Sequence, residues 1–169
     1  RVNRAIEELG YVRNDAARKL RAGTSSTVGF VVLDGQNPFY TDVVRGAEDE
    51  GTRHNIAILY GNTDEDHARE KVYLDLFEEQ RVHGILISPY GDIEPRLSEL
   101  RRRGTPVVLV DRESRDAGVS SVSVDDRAGG RLAVAPLLAT GRQRTGFVGG
   151  TTDCRPIAAV LTGALGALG

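Results

Sequence analysis

The 169-residue chain has a single cysteine, Cys154, and neither methionine nor tryptophan. One thiol excludes an internal disulfide framework and fits a reducing compartment. The three histidines, His54, His67 and His83, lie far apart in sequence, which argues against a structural metal site. No apolar run approaches the roughly 18 residues of a membrane span, and the charged first residues do not read as a secretory signal. The G-x-G-x-x-G and G-x-x-x-x-G-K-[ST] phosphate loops and the G-x-S-x-G nucleophile elbow are all missing. An α/β enzyme reading therefore has no assembled nucleophile, base or cofactor loop, and no cofactor is implied.

What is present describes a soluble globular chain of about one domain: 40% hydrophobic residues, 27% charged residues and 20 glycines. The net charge is only −2, yet it is unevenly spread. Residues 1–27 hold six basic side chains (Arg1, Arg4, Arg13, Arg18, Lys19, Arg21) against the acidic Glu7, Glu8 and Asp15. A basic arm thus precedes an acidic body.

Within the arm, Val2, Ile6 and Leu9 have helical spacing, and Gly10 stops that helix. The chain begins inside it, as though cut from something longer. Asn14 is a good N-cap for a second short helix running through Ala16, Ala17 and Leu20 to Gly23. A Thr/Ser linker follows. From residue 28 the pattern alternates between strands (28–33, 56–60, 84–87, 106–110, 121–124, 144–148) and helices (38–54, 66–81, 93–103, 126–140, 156–168). Val72, Tyr73, Leu76 and Phe77 are the expected buried face of the second of these helices, and Phe39, Val43, Val44 and Ala47 that of the first. Short, continuous Val/Ile/Leu runs are buried on both faces, so the expected fold is α/β with a doubly wound parallel sheet.

In such sheets ligands sit at the carboxyl ends of the strands. Those ends carry Asp34 through Tyr40, then Ser88-Pro89-Tyr90, Asp111-Arg112 and Asp125-Asp126. Carboxylates, a hydroxyl and a guanidinium beside aromatic rings suit a polyhydroxylated molecule. Other roles remain open at this point: Asp125 or Asp126 can cap the next helix, Phe39 can be core, and Asp111-Arg112 can be a local ion pair. Gly149-Gly150 offers backbone N–H groups to an anion, a weak signal. Cys154 reads as an unreactive small residue, and His67 and His83 as surface or packing residues.

Several blocks then resemble the lactose-repressor-type (LacI/GalR) transcription regulators. They are Ala5-Ile6-Glu7-Glu8-Leu9-Gly10-Tyr11-Val12-Arg13-Asn14-Asp15-Ala16-Ala17-Arg18-Lys19-Leu20, Asn37-Pro38-Phe39-Tyr40, Arg45-Gly46-Ala47-Glu48, Gly61-Asn62-Thr63-Asp64, Val82-His83-Gly84-Ile85, Val110-Asp111-Arg112 and Val124-Asp125-Asp126. The resemblance implies a dimeric, non-enzymatic, cytoplasmic repressor with a periplasmic-binding-protein-like core, a short helical hinge, operator DNA as one partner and a small-molecule effector, a sugar, as another. It divides the chain into the end of a DNA-binding head (1–13), hinge helix and linker (14–26), the N-terminal core subdomain (27–141) and the start of a truncated C-terminal subdomain (142–169). A lone βα unit in that last segment would leave its strand poorly covered, so mobile ends are expected around a firm body.

By the same resemblance Leu20 wedges into the minor groove, Asn14 and Ala17 touch that groove, and Tyr11, Arg18 and Arg21 meet phosphates; alternatively, Leu20 packs within its own chain. Phe39, Tyr40, Ser88 and Asp111 fall on effector-contacting positions, with Asp34 nearby. Val160-Leu161-Thr162-Gly163-Ala164 stands where the family has an Arg-x-x-Gly-Phe segment, leaving Arg155 as the substitute for that arginine. Arg13 replaces a common proline before the hinge. A solute-binding protein of the same core fold is the alternative reading, and the basic hinge-like arm is what separates the two.

Overall fold

The computed structural model describes residues 26–114, 116–142, 144–150, 152 and 154–168. The expected DNA-contacting residues Tyr11, Asn14, Ala17, Arg18, Leu20 and Arg21 lie outside the described residues. Five strands form one parallel sheet: β1 (Thr27–Val32), β2 (Ala57–Asn62), β3 (Gly84–Ile87), β4 (Val107–Val110) and β5 (Ser120–Val122), in the spatial order β2-β1-β3-β4-β5. Helices α1 (Pro38–Arg53), α2 (His67–Glu79) and α3 (Glu94–Arg102) follow β1, β2 and β3 in turn, and α4 (Asp126–Ala139) and α5 (Arg155–Gly166) follow β5.

Two apolar layers sandwich the sheet because successive side chains of a strand point to opposite faces. Val31, Ile85, Ile87, Val107 and Leu109 meet Leu74 and Phe77 of α2 and Leu97 and Leu100 of α3. Phe30, Val32 and Val110 meet Tyr40, Val43, Val44 and Ala47 of α1 on the other side. Strands covered on both faces need continuous apolar runs, which is what the sequence displays.

Local capping starts each helix where the sequence offers an oxygen. The Asn37 side chain accepts from the Phe39 N–H at 3.0 Å, with Pro38 at the first helical position. Asp125, one of two candidates, caps α4 through the Ala128 N–H at 2.8 Å. Asp66 accepts from both Ala68 N (2.6 Å) and Arg69 N (3.2 Å) at the start of α2. Asp66→Ala is expected to cost about 1 kcal/mol, read as a lowered urea midpoint.

Two sequence-based expectations are corrected. The buried stripe of α2 is Glu70, Leu74 and Phe77 with Tyr73 half-buried, whereas Val72 and Leu76 are exposed. Two helical stripes fit the apolar pattern, and ring placement selects one of them. A Cβ at Gly29 of β1 would lie 2.3 Å from the Phe77 ring, and one at Gly61 of β2 would lie 2.7 Å from Tyr73. The missing side chains make hollows that the rings fill, turning Val72 and Leu76 outward. Among the described residues no strand forms at 144–148, and Val148 is 99% exposed. Among the described residues no strand pairs with this segment, so its backbone groups gain nothing from extension.

Helix α5 packs on α4 instead. A Cβ on Gly130 would come within 2.1 Å of the Val160 carbonyl oxygen, and one on Gly163 within 2.0 Å of that of Arg127. The two backbones therefore touch directly, through glycines on both helices.

Candidate functional site

All five strands run in parallel, so their carboxyl ends gather along one border of the sheet. A cavity of about 550 Å³ opens there. Leu33 after β1, Ser88 to Gly91 after β3, Asp111 to Ser114 after β4 and Ser123 to Asp126 after β5 line it. Helix α5 closes one side with Arg155, Pro156, Ala158, Ala159 and Thr162, next to Cys154.

At its centre is a short relay. Ser88 Oγ donates to Tyr40 Oη at 3.0 Å, and Tyr40 Oη donates to Asp111 Oδ2 at 3.0 Å. Ser88 follows β3 directly, and its N–H prolongs the ladder by donating to the Val31 carbonyl at 2.9 Å. Tyr40 projects from the first turn of α1, its ring in the apolar layer and its hydroxyl at the cavity. Asp111 follows β4 in the left-handed region (φ 57°), a conformation Asp and Asn tolerate better than other side chains.

Burial pushes the Tyr40 phenol well above its ordinary range; the Ser88 hydrogen bond opposes this and the Asp111 charge adds to it. The phenol therefore stays neutral and donates. Burial also raises the Asp111 carboxyl, with the Tyr40 hydrogen bond opposing and the Asp126 charge reinforcing. Asp126 is raised by burial and by neighbouring Asp125. Burial likewise raises the Cys154 thiol, against a hydrogen bond from the Ile157 backbone. The border thus presents neutral hydroxyls beside carboxylate acceptors, a set suited to molecules rich in hydroxyl groups.

Of the six effector positions expected from sequence, the structure brings Tyr40, Ser88, Asp111 and Arg155 to the cavity, Arg155 as an exposed side chain at the start of α5. Asp34 and Phe39 are not among the lining residues. Asp34 Oδ1 accepts from the Gln36 N–H at 2.9 Å and shapes the turn into α1. Phe39 is 36% exposed and meets the Tyr40 ring edge-on with centroids 5.1 Å apart, so it belongs to neither apolar layer. Arg112 is buried and its Nη1 donates to the Gly91 carbonyl. Gly149 and Gly150 do not line the cavity. Reasoning from sequence missed Cys154 and Thr162 as lining residues and Glu70 as a buried carboxylate behind the wall. A helical Glu flanked by Arg69 and Lys71 carries no mark of burial.

Residues 25–162 match the family described as periplasmic binding proteins and sugar binding domain of LacI family. The chain belongs to this family. It is 36% identical to the ribose operon repressor of Bacillus subtilis over 145 residues, 85% of this chain and 43% of that protein. Among solved LacI-type structures, the Cra transcriptional dual regulator from Pseudomonas putida in complex with fructose 1-phosphate is 27% identical. It has a TM-score of 0.77 and is matched over 85% of this chain and 53% of its own. A periplasmic binding protein/LacI transcriptional regulator from Alkaliphilus metalliredigens complexed with D-xylulofuranose is 25% identical, with TM-score 0.74 over 85% and 52%. The parallel sheet is that of the LacI-type effector-binding fold. The chain spans about half the length of the curated relatives it matches. Among the described residues no helix is long and apolar enough to cross a membrane.

Proposed function

We propose that this chain is the ligand-sensing part of a non-enzymatic, sequence-specific transcription repressor that works in the cytoplasm, binds operator DNA as a homodimer and answers to a sugar. The observation that carries the reading is the Ser88–Tyr40–Asp111 relay facing a cavity of about 550 Å³ at the strand ends. Its donors and acceptors match vicinal hydroxyl groups. Supporting it, the curated relatives are named as transcription regulators and repressors, and two structural neighbours hold fructose 1-phosphate and D-xylulofuranose.

In this reading Tyr40, Ser88 and Asp111 contact the sugar, Arg155 guards the rim, and Asp34 and Phe39 brace the α1 turn behind Tyr40. Residues 1–13 end a DNA-binding head and 14–26 form the hinge, with Leu20 as wedge, Asn14 and Ala17 in the minor groove, and Tyr11, Arg18 and Arg21 on the backbone. Residues 27–141 are the N-terminal core subdomain and 142–169 open the next one. The homodimer is supported by apolar side chains left exposed on edge strand β2 (Leu59, Tyr60) and on α2 (Val72, Leu76). Control is linkage: the sugar alters DNA affinity only as far as it prefers one arrangement of the core over another.

The test uses the full-length protein and an operator selected from random duplexes, with affinity read by fluorescence anisotropy. D-ribose is expected to change operator affinity by about 10-fold or more, and sedimentation should find two protomers per duplex. A protein that binds D-ribose but no DNA would be a solute-binding protein instead. One whose DNA affinity ignores every sugar offered would overturn the sensing role.

A further inference from the structure

Glu70 and His67 of α2 lie behind the cavity wall and do not line the cavity themselves. Glu70 of α2 is 6% exposed, and its Oε2 accepts the backbone N–H of Tyr90 at 2.9 Å. Tyr90 sits in the β3–α3 loop, whose residues Ser88 to Gly91 form one side of the cavity. One turn earlier on α2, the His67 ring lies 4.8 Å from the Tyr90 ring. It also occupies the space a side chain at Gly91 would need: a Cβ there would be 2.6 Å from His67 Cε1, and Gly91 takes a left-handed φ of 71°. From the β4 side, Arg112 donates to the Gly91 carbonyl. The loop is thus gripped at consecutive residues, the Tyr90 N–H by Glu70 of α2 and the Gly91 C=O by Arg112, two residues past β4.

A buried carboxylate is costly and persists where its oxygens have defined partners. Glu70 has such a partner in the Tyr90 amide, in the wall of the candidate site. We propose that Glu70 is a positioning residue of the sugar site: by holding the Tyr90 amide from behind, it sets where the β3–α3 loop presents Ser88 and Tyr90 to the ligand. This rests on the sugar-sensing reading above, yet the structural half stands on the loop alone. Reach is what matters, since the oxygen must span from the α2 backbone to the Tyr90 amide. Charge is secondary, because an amide oxygen accepts the same bond.

Two substitutions in the full-length protein separate reach from charge. Glu70→Asp keeps the carboxylate and withdraws it by one methylene; Glu70→Gln keeps the reach and removes the charge. Hydrogen exchange at the Tyr90 amide reads the grip without any ligand, and calorimetric titration with D-ribose reads its consequence. Glu70→Asp is expected to speed exchange at Tyr90 by about 10-fold, with amides of Val31 and Ile87 unchanged. It should also weaken D-ribose by about 10-fold, whereas Glu70→Gln stays within about twofold on both counts. A Glu70→Asp protein matching the native one at Tyr90 and in ribose affinity overturns the proposal. So does a Glu70→Gln protein that loses as much as Glu70→Asp, since charge and not reach would then be at work. A general loss of protection, spread equally over Val31, Ile87 and Tyr90, overturns it too by reducing Glu70 to a fold-stabilising residue. If the native protein ignores D-ribose, the ribose choice fails, and exchange at Tyr90 still decides the role of Glu70.

Discussion

Asp111→Asn is expected to lower D-ribose affinity by about 100-fold, equivalent to ~2.8 kcal/mol at 1.4 kcal/mol per tenfold, while leaving the fold intact. Asparagine tolerates the left-handed φ of 57° that Asp111 adopts, and its oxygen still accepts from the Tyr40 hydroxyl. What disappears is the charge, and hydrogen bonds to a charged acceptor are the strong ones. Stability should move the other way. Because burial holds the Asp111 carboxyl above its ordinary value, the folded chain binds more protons than the unfolded one between the unfolded and native values. Stability attributable to this group therefore falls as pH rises through that window. The asparagine variant is expected to be at least as stable as the native protein at neutral pH, its urea midpoint gaining on the native one as pH rises through that window. Weak ribose binding combined with a lowered midpoint at pH 7 would mean damage to the fold, not loss of a ligand contact.

Gly163→Val should have the largest structural effect. The first carbon of any side chain there falls 2.0 Å from the Arg127 carbonyl oxygen and close to the Arg127 Cα. These are backbone atoms of α4, with no rotamer to yield, so the helices must part. A cost of about 3 kcal/mol is expected, at the upper end of overpacking effects. Helix α5 begins beside Cys154, so parting should also uncover the thiol. Burial raises that thiol's pKa, and release lowers it and exposes the sulfur, so its reaction with a disulfide reagent should quicken several-fold. Gly166→Ala is the matched control: an added Cβ there meets nothing within 4 Å, and alanine in place of helical glycine should be neutral or stabilising by up to about 1 kcal/mol. Equal thiol reactivity in the two variants would refute the seam.

Much of this architecture could be read from residues alone. Four-to-six-residue Val/Ile/Leu runs announced parallel strands, and the helix expected over 38–54 is α1. The rule that strand ends carry ligands led to Tyr40, Ser88 and Asp111, which the structure joins in one relay. The buried face of α2 was not legible, because two stripes offset around the helix are both apolar and only the hollows at Gly29 of β1 and Gly61 of β2 select between them. The strand expected at 144–148 failed for a related reason: an apolar run specifies extension only if a neighbour pairs with it. Glu70 left no trace, since a carboxylate between an arginine and a lysine on a helix reads as solvated surface until its long-range partner is known.

Tyr40 does double service, its ring sealed in the apolar layer beneath α1 while its hydroxyl meets the cavity. The torsional freedom of that side chain is therefore surrendered when the chain folds, before any guest arrives. A sugar docking here would strike an anvil: this border can discriminate among guests, yet it has little give with which to announce them. Whatever motion reports occupancy must begin elsewhere in the cavity wall.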